Sequence, residues 1–158
     1  MKFLKPTWAE IDTMCEELAL TIEKSGFKPD VIVGIARGGW VPARLLSDKM
    51  NNEHVASMRV EFYTAPGVTN RVPKITQPVS TDVKGKRVLL VDDVSDTGHS
   101  LEVAFKSFAD AKEVRTATLH YKPHSVFKPD YFIGTTSDWI VYPWEVNETE
   151  RKLKGKKA

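Results

Sequence analysis

The chain has 158 residues, 41% hydrophobic and 28% charged, the proportions of an ordinary globular protein long enough to bury a core in one domain. A net charge of +2 makes no electrostatic case for nucleic acid, and the single cysteine, Cys15, excludes an internal disulfide. No apolar run reaches membrane-spanning length and the first residues do not read as a secretory signal, so the expected location is the cytoplasm.

Thr7 with Glu10 three residues on has the form of a capping box. Trp8, Ile11, Met14, Cys15, Leu18, Ala19 and Ile22 then recur at helical spacing, and Gly26 and Pro29 end the helix. Cys15 falls on the apolar face, which makes it a packed thiol. Val31 to Ile35 is a continuous apolar run, expected as a buried strand. It leads into Arg37-Gly38-Gly39 and a helix beginning near Trp40 or Val41 with Ala43, Leu45 and Leu46 inward. Glycines let a backbone approach a ligand closely, and a guanidinium between strand and glycines suits phosphate oxygens. Val55 to Phe62 reads as a third strand. From Tyr63 to Pro78 the pattern dissolves into Gly, Pro, Thr and Asn with two bases, Arg71 and Lys74, so a flexible loop is expected over about 63–80.

Val88 to Leu101 organises the rest. Four apolar residues, a buried strand, run into Asp92 and Asp93 where the strand should leave the sheet. Asp96-Thr97-Gly98-His99-Ser100 follows as a loop, and Leu101, Val103, Ala104, Phe105 and Phe108 mark one face of a helix. A small-residue loop entering a helix offers unpaired N–H groups and hydroxyls to a phosphate. Carboxylates just upstream accept hydrogen bonds, which suits sugar hydroxyls or a hydrated Mg²⁺. Phosphate at one end and hydroxyls or metal at the other describe a ribose 5-phosphate. Neither a P-loop nor a G-x-G-x-x-G motif occurs. Beyond the helix, Val114 to His120 alternates as a strand ending at Tyr121-Lys122-Pro123, and the C-terminal part carries Asp138-Trp139-Ile140-Val141-Tyr142-Pro143-Trp144-Glu145. The basic end, 151–158, is expected to be a frayed, solvated tail.

Val88 to Leu101 resembles the phosphoribosyl-pyrophosphate (PRPP) signature of type I phosphoribosyltransferases. The strand–Arg-Gly-Gly–helix element resembles their pyrophosphate loop, in which a cis non-proline peptide occurs. Lys122-Pro123, and Trp139-Ile140 followed by Pro143-Trp144, resemble the base pocket of the bacterial xanthine-guanine branch. The resemblance spans about Val31 to Trp144. It implies one α/β domain over 1–158, with a mostly parallel sheet flanked by helices, a small C-terminal base-binding region and a flexible hood. The implied activity is purine salvage: a Mg²⁺-dependent transfer of the 5-phosphoribosyl group of PRPP to guanine, hypoxanthine or xanthine, with release of pyrophosphate. Arg37 and Gly38 would then take the pyrophosphate, and Asp92 and Asp93 the ribose hydroxyls, Asp93 also holding Mg²⁺ through water. Asp96, Thr97, Gly98, His99 and Ser100 would anchor the 5-phosphate, with Asp96 also the general base. Lys122 would donate to the purine 6-oxo group, Trp139 stack on the base and Ile140 read its 2-substituent through backbone. The partners implied are the two substrates and further copies of the chain, in a dimer or higher oligomer, with no nucleic acid and no membrane.

Ser95 stands where the family more often has an apolar residue, His99 interrupts the phosphate loop, and Asp138 directly precedes Trp139 where a residue usually intervenes. Two other readings stay open. One is a PRPP-sensing regulator that binds nucleic acid; the other is an enzyme of the same fold acting on adenine or a pyrimidine. No added binding module is visible for the first. An ammonium at Lys122 argues against adenine, which offers an amino group at that position.

Overall fold

A computed structural model of the protein describes residues 2–64, 66–67, 69 and 71–157. Its centre is a six-stranded sheet in the order β4-β3-β2-β5-β6-β7, formed by β2 (Val31–Ala36), β3 (Val55–Tyr63), β4 (Val72–Gln77), β5 (Arg87–Ser95), β6 (Glu113–Tyr121) and β7 (Gly134–Thr135). All pairings are parallel except β3 with β4. A second, two-stranded parallel pair joins β1 (Phe3–Leu4) to β8 (Trp139–Ile140). The helices are α1 (Trp8–Lys24), α2 (Trp40–Lys49), α3 (His99–Lys106) and α4 (Val146–Lys157).

The central strands are apolar on both faces because helices cover both. Ile32 and Leu89 pack with Ile11, Leu18 and Leu46 from α1 and α2; their neighbours Val33 and Leu90 pack on the other side with Leu101 and Phe108. This is the burial that a continuous apolar run anticipates. Thr7 caps α1 by accepting from Glu10 N at 3.1 Å, and Gly26 follows with φ +82°. Cys15 lies in the core, where burial pushes its thiol up to about 12.

β2 has β3 on one side and β5 on the other, so the chain reverses its direction of travel across the sheet between β2 and β5. In open α/β sheets a crevice forms at such a point, beyond the carboxyl ends of the strands. The Arg37–Gly39 loop and the acidic pair lie on its two sides.

Five expectations need correcting. β5 does not stop at Val91; it continues through Asp92 and Asp93 to Ser95, because Asp92, Val94 and Ser95 still pair with β6. The segment expected as loop contains β4: Pro73 and several polar residues hide it, and they are tolerated because β4 is an edge strand. Of the positions in the expected loop and tail, 65, 68, 70 and 158 lie outside the described residues. The tail is not frayed, since α4 runs to Lys157. Its Glu148 pairs with Lys152 one turn on and with Arg37, the support a largely polar helix needs. Phe105 does not face the core; it is exposed, with its ring tilted on Phe127. Trp8 is likewise exposed on one side, with its ring against Trp144.

Candidate active site

Two adjoining clefts of about 480 and 490 Å³ open at the carboxyl ends of β5 and β6, with Val94 and Asp96 lining both. The first is walled by Asp92 and the Asp96–Leu101 segment, with Phe62 and Arg71 from the β3–β4 hairpin opposite. The second holds Asp93, Lys122, Trp139, Ile140, Tyr142 and Glu145 among its walls. A larger hollow, about 870 Å³, lies at the opposite end of the strands, beside Asp30 and His54 just before β2 and β3, and none of the motif residues reaches it.

The phosphate loop is built as its sequence demands. Gly98 takes φ +88° and turns the chain into α3, directing the first N–H groups of that helix at the cleft. A side chain there would collide with Ser125 Oγ and come within 2.6 Å of Phe127 N. His99 is exposed and lines the cleft, and its N–H reaches Thr97 Oγ1 at 3.4 Å.

Asp92 and Asp93 sit side by side, half-buried. Loss of water and the charge of Asp93 push the Asp92 carboxyl well above its usual range; burial also raises Asp93. Asp92 Oδ1 accepts from Asp93 N at 2.9 Å, and Asp93 Oδ1 from Val94 N at 2.8 Å. Gly38 closes against this pair: a Cβ on it would overlap Asp93 Oδ2. Gly39 is as constrained, since a Cβ would stand 2.5 Å from Val91 O and 2.6 Å from Ile35 O. The Ala36–Arg37 peptide between them and β2 is cis. Arg37 itself lines neither cleft. Its guanidinium turns outward and holds both oxygens of Glu148 on α4 at 3.0 Å.

The predicted base-binding residues do come together. Lys122 is 9% exposed at the end of β6, with Nζ 3.6 Å from Asp96 Oδ2. Ile140 is buried, Trp139 half-buried with its ring tilted on Phe3, and both are set by β1 pairing with β8. Asp138 is not among the cleft's walls, and its N–H caps on Thr136 Oγ1 at 3.0 Å.

Ser95, the departure from the family pattern, has a structural reason. It is 1% exposed, and its hydroxyl bonds Ser125 Oγ at 2.8 Å and Phe127 O at 2.7 Å. Lys122 N to Ser95 O (3.1 Å) and Val126 N to Thr97 O (2.9 Å) complete the stitch between the phosphate loop and the 122–127 segment. An apolar residue at 95 would remove both side-chain bonds that Ser95 makes across this seam, leaving Ser125 Oγ with Phe127 alone.

Apart from Trp144, which belongs to the base-pocket resemblance, the site residues that follow carry no motif and were not anticipated. Tyr142, 1% exposed, donates to Asp93 O at 3.0 Å, so its oxygen accepts from His120 Nδ1 at 2.8 Å, which fixes the proton on that nitrogen. Burial, with Lys122 two residues on, pulls the His120 ring down to about 4, so it stays neutral. Trp144 stacks on Tyr142 at 4.7 Å, and Glu145 accepts from Tyr142 N at 3.2 Å. His124 reaches Asp96 Oδ1 at 3.0 Å.

Residues 7–151 match the model of the phosphoribosyl transferase domain. Among solved structures, a purine phosphoribosyltransferase from Pyrococcus horikoshii superposes with a TM-score of 0.82 at 40% identity, over 91% of this chain and 94% of that one. The xanthine-guanine phosphoribosyltransferase of Gluconobacter oxydans is 27% identical over 141 residues, 88% of this chain and 82% of the relative. The hypoxanthine-guanine phosphoribosyltransferase of Schizosaccharomyces pombe is 28% identical, over 91% and 89%. Fold, crevice and likeness agree along nearly the whole length, and the chain belongs to the phosphoribosyltransferase family.

Proposed function

We propose that the protein transfers the 5-phosphoribosyl group of PRPP to a 6-oxopurine, giving a nucleoside 5-monophosphate and pyrophosphate. The observation that carries the choice of base is the placement of Lys122 Nζ and Asp96 Oδ2, 3.6 Å apart at one end of the second cleft. O6 and N7 are neighbours on one edge of a 6-oxopurine. A donor beside an acceptor therefore meets an O6 acceptor and an N7–H donor together. Adenine presents two donors on that edge and would set its amino group against the ammonium. The names of the relatives point the same way.

On this reading the base lies on Trp139, with the Ile140 backbone at its 2-position. The 5-phosphate binds the N–H groups and hydroxyls of Thr97 to Ser100, at the positive end of α3. Asp92 and Asp93 accept from the ribose hydroxyls. As the bond from C1 to pyrophosphate breaks, positive charge grows on the sugar ring, and these two carboxylates oppose it. Asp96 takes the N7 proton as N9 bonds to C1. The Gly38 backbone takes the pyrophosphate beside Asp93, and Arg37 swings from Glu148 to bind it. The donor set fits Mg²⁺: it is all oxygen, and its two crowded carboxyls gain from a cation. Asp93 would hold the ion through water, where it neutralises charge on the departing pyrophosphate.

The test is a panel of nucleobases assayed with PRPP and Mg²⁺, before and after Lys122→Ala. Loss of a charged hydrogen bond in a closed site costs about 1.5–3 kcal/mol, so kcat/KM for guanine or hypoxanthine should fall roughly ten- to over a hundredfold. The ratio over adenine should fall with it. A wild-type preference for adenine, or a ratio unmoved by the substitution, would reject this pocket.

A further inference from the structure

Asp96 is asked to be a base, yet it is more than half exposed, and a mobile carboxylate on a loop makes a poorly aimed one. The structure aims it. Lys122 approaches Oδ2 and His124 Nε2 approaches Oδ1, at 3.6 and 3.0 Å. His124 is itself fixed in place although it is 58% exposed. It lies in the 122–127 segment, whose backbone is bonded to β5 and the phosphate loop on either side of it, Lys122 N to Ser95 O and Val126 N to Thr97 O. Ser125, the next residue, is bonded to the buried Ser95. The departure at Ser95 and the histidine after Lys122-Pro123 are thus parts of one construction: the first anchors the segment that carries the second.

We propose that His124 is a positioning residue for Asp96: its imidazole holds Oδ1, leaves Oδ2 to face the purine N7, and weakens the base when it becomes charged. With Asp96 ionised, only the ring can donate in this contact. A neutral ring holds the carboxylate while adding no charge of its own to that of Lys122. A protonated ring makes an ion pair that lowers the carboxylate's affinity for the purine proton. Histidine is the side chain that ordinarily gains charge between about pH 5 and 8. The charged groups that face His124 among the described residues are Asp96, from the loop after β5, and, across that carboxylate, Lys122 from the end of β6. During transfer the N7 proton passes to Asp96, the N9 lone pair forms the bond to C1, and the electron pair of the broken C1–O bond leaves with pyrophosphate. His124 takes no part in those bonds.

The inference rests on the proposed role of Asp96, and the experiment separates the two. Single-turnover rates of nucleotide formation from guanine are measured from pH 5 to 8 for wild type, His124→Ala, His124→Gln and Asp96→Asn, with PRPP affinity measured alongside. Because His124 is exposed, its variants fold. His124→Ala should slow the step roughly two- to tenfold, the worth of one partly exposed charged hydrogen bond, with PRPP affinity unchanged. His124→Gln, which can still donate, should recover most of the rate near pH 8 and lose the part of the acid-side decline that wild type shows. A His124→Ala rate equal to wild type, or an acid-side decline unchanged in His124→Gln, would overturn the inference while Asp96→Asn remains slow. An Asp96→Asn enzyme as fast as wild type would instead overturn the role of Asp96 itself.

Discussion

Tyr142→Phe removes one oxygen and tests how the acidic pair is supported. The hydroxyl joins two buried groups: it donates to Asp93 O and accepts from His120 Nδ1, at 3.0 and 2.8 Å. The ring is 1% exposed, so water cannot replace the oxygen cheaply. A buried polar group left without its partner costs about 1–3 kcal/mol. The His120 donor loses its acceptor outright, whereas a carbonyl with two lone pairs loses less, so a total of about 2–3 kcal/mol is expected. For a chain of this size each kcal/mol moves the thermal midpoint by about 2–4 °C, which places the variant about 4–12 °C below wild type. Calorimetric or circular-dichroism melting at neutral pH measures it. The stack of Trp144 on Tyr142 is retained in the variant, so the loss isolates the hydroxyl. Since the same hydroxyl fixes the backbone at Asp93, the KM for PRPP should rise more than the KM for the base. An unchanged midpoint would refute the reasoning, because no desolvated pair would then have been broken.

Gly38→Ala would put a methyl group onto the Asp93 carboxylate; PRPP binding, followed by calorimetry, should be lost or severely weakened while the fold survives. Asp92 has a raised pKa when folded, so the folded chain keeps a proton that the unfolded chain gives up, and this site's contribution to stability is lost as pH rises above the ordinary carboxyl value of 3.8. Asp92→Asn should therefore melt progressively higher than wild type, both without ligand, as pH is raised from that value, while losing PRPP affinity. His120 has the opposite sign: held neutral down to about 4 against a usual 6.5, it adds stability that is present above 6.5 and drains away as pH falls toward 4. Denaturant midpoints of wild type and His120→Gln across that window should converge on the acid side; parallel curves would mean the histidine charges freely in the fold.

The parts of the molecule that the sequence alone determined are those whose physics is local. Val88 to Ser100 announces itself because a buried strand, an acidic pair and a glycine-bearing loop into a helix lie within fourteen residues of one another, and every one of those choices is visible in composition and spacing. The glycines of Arg37–Gly39 were legible as places where a group comes close to the backbone, although the group that packs on Gly38 is Asp93, far away in sequence, and Arg37 faces Glu148. Lys122, Trp139 and Ile140 could be singled out only by likeness to a family, since nothing local marks a lysine or a tryptophan as functional.

Only the tertiary structure decided the rest. β4 looked like loop because proline and polar residues are tolerated on an edge that the sequence cannot see. α4 looked like a solvated tail because its helical support includes Arg37, 111 residues away. The contacts that aim and support the site join residues 28, 30 and 49 apart: His124 with Asp96, Ser95 with Ser125, Tyr142 with Asp93. Serine, histidine and tyrosine have no periodic signature, and each is equally at home in solvent. Their roles arise at the carboxyl ends of β5 and β6, where the loops leaving the two strands meet each other and the segment after β8. There, burial makes an unpartnered polar group expensive, and a partner within reach decides which way each one points.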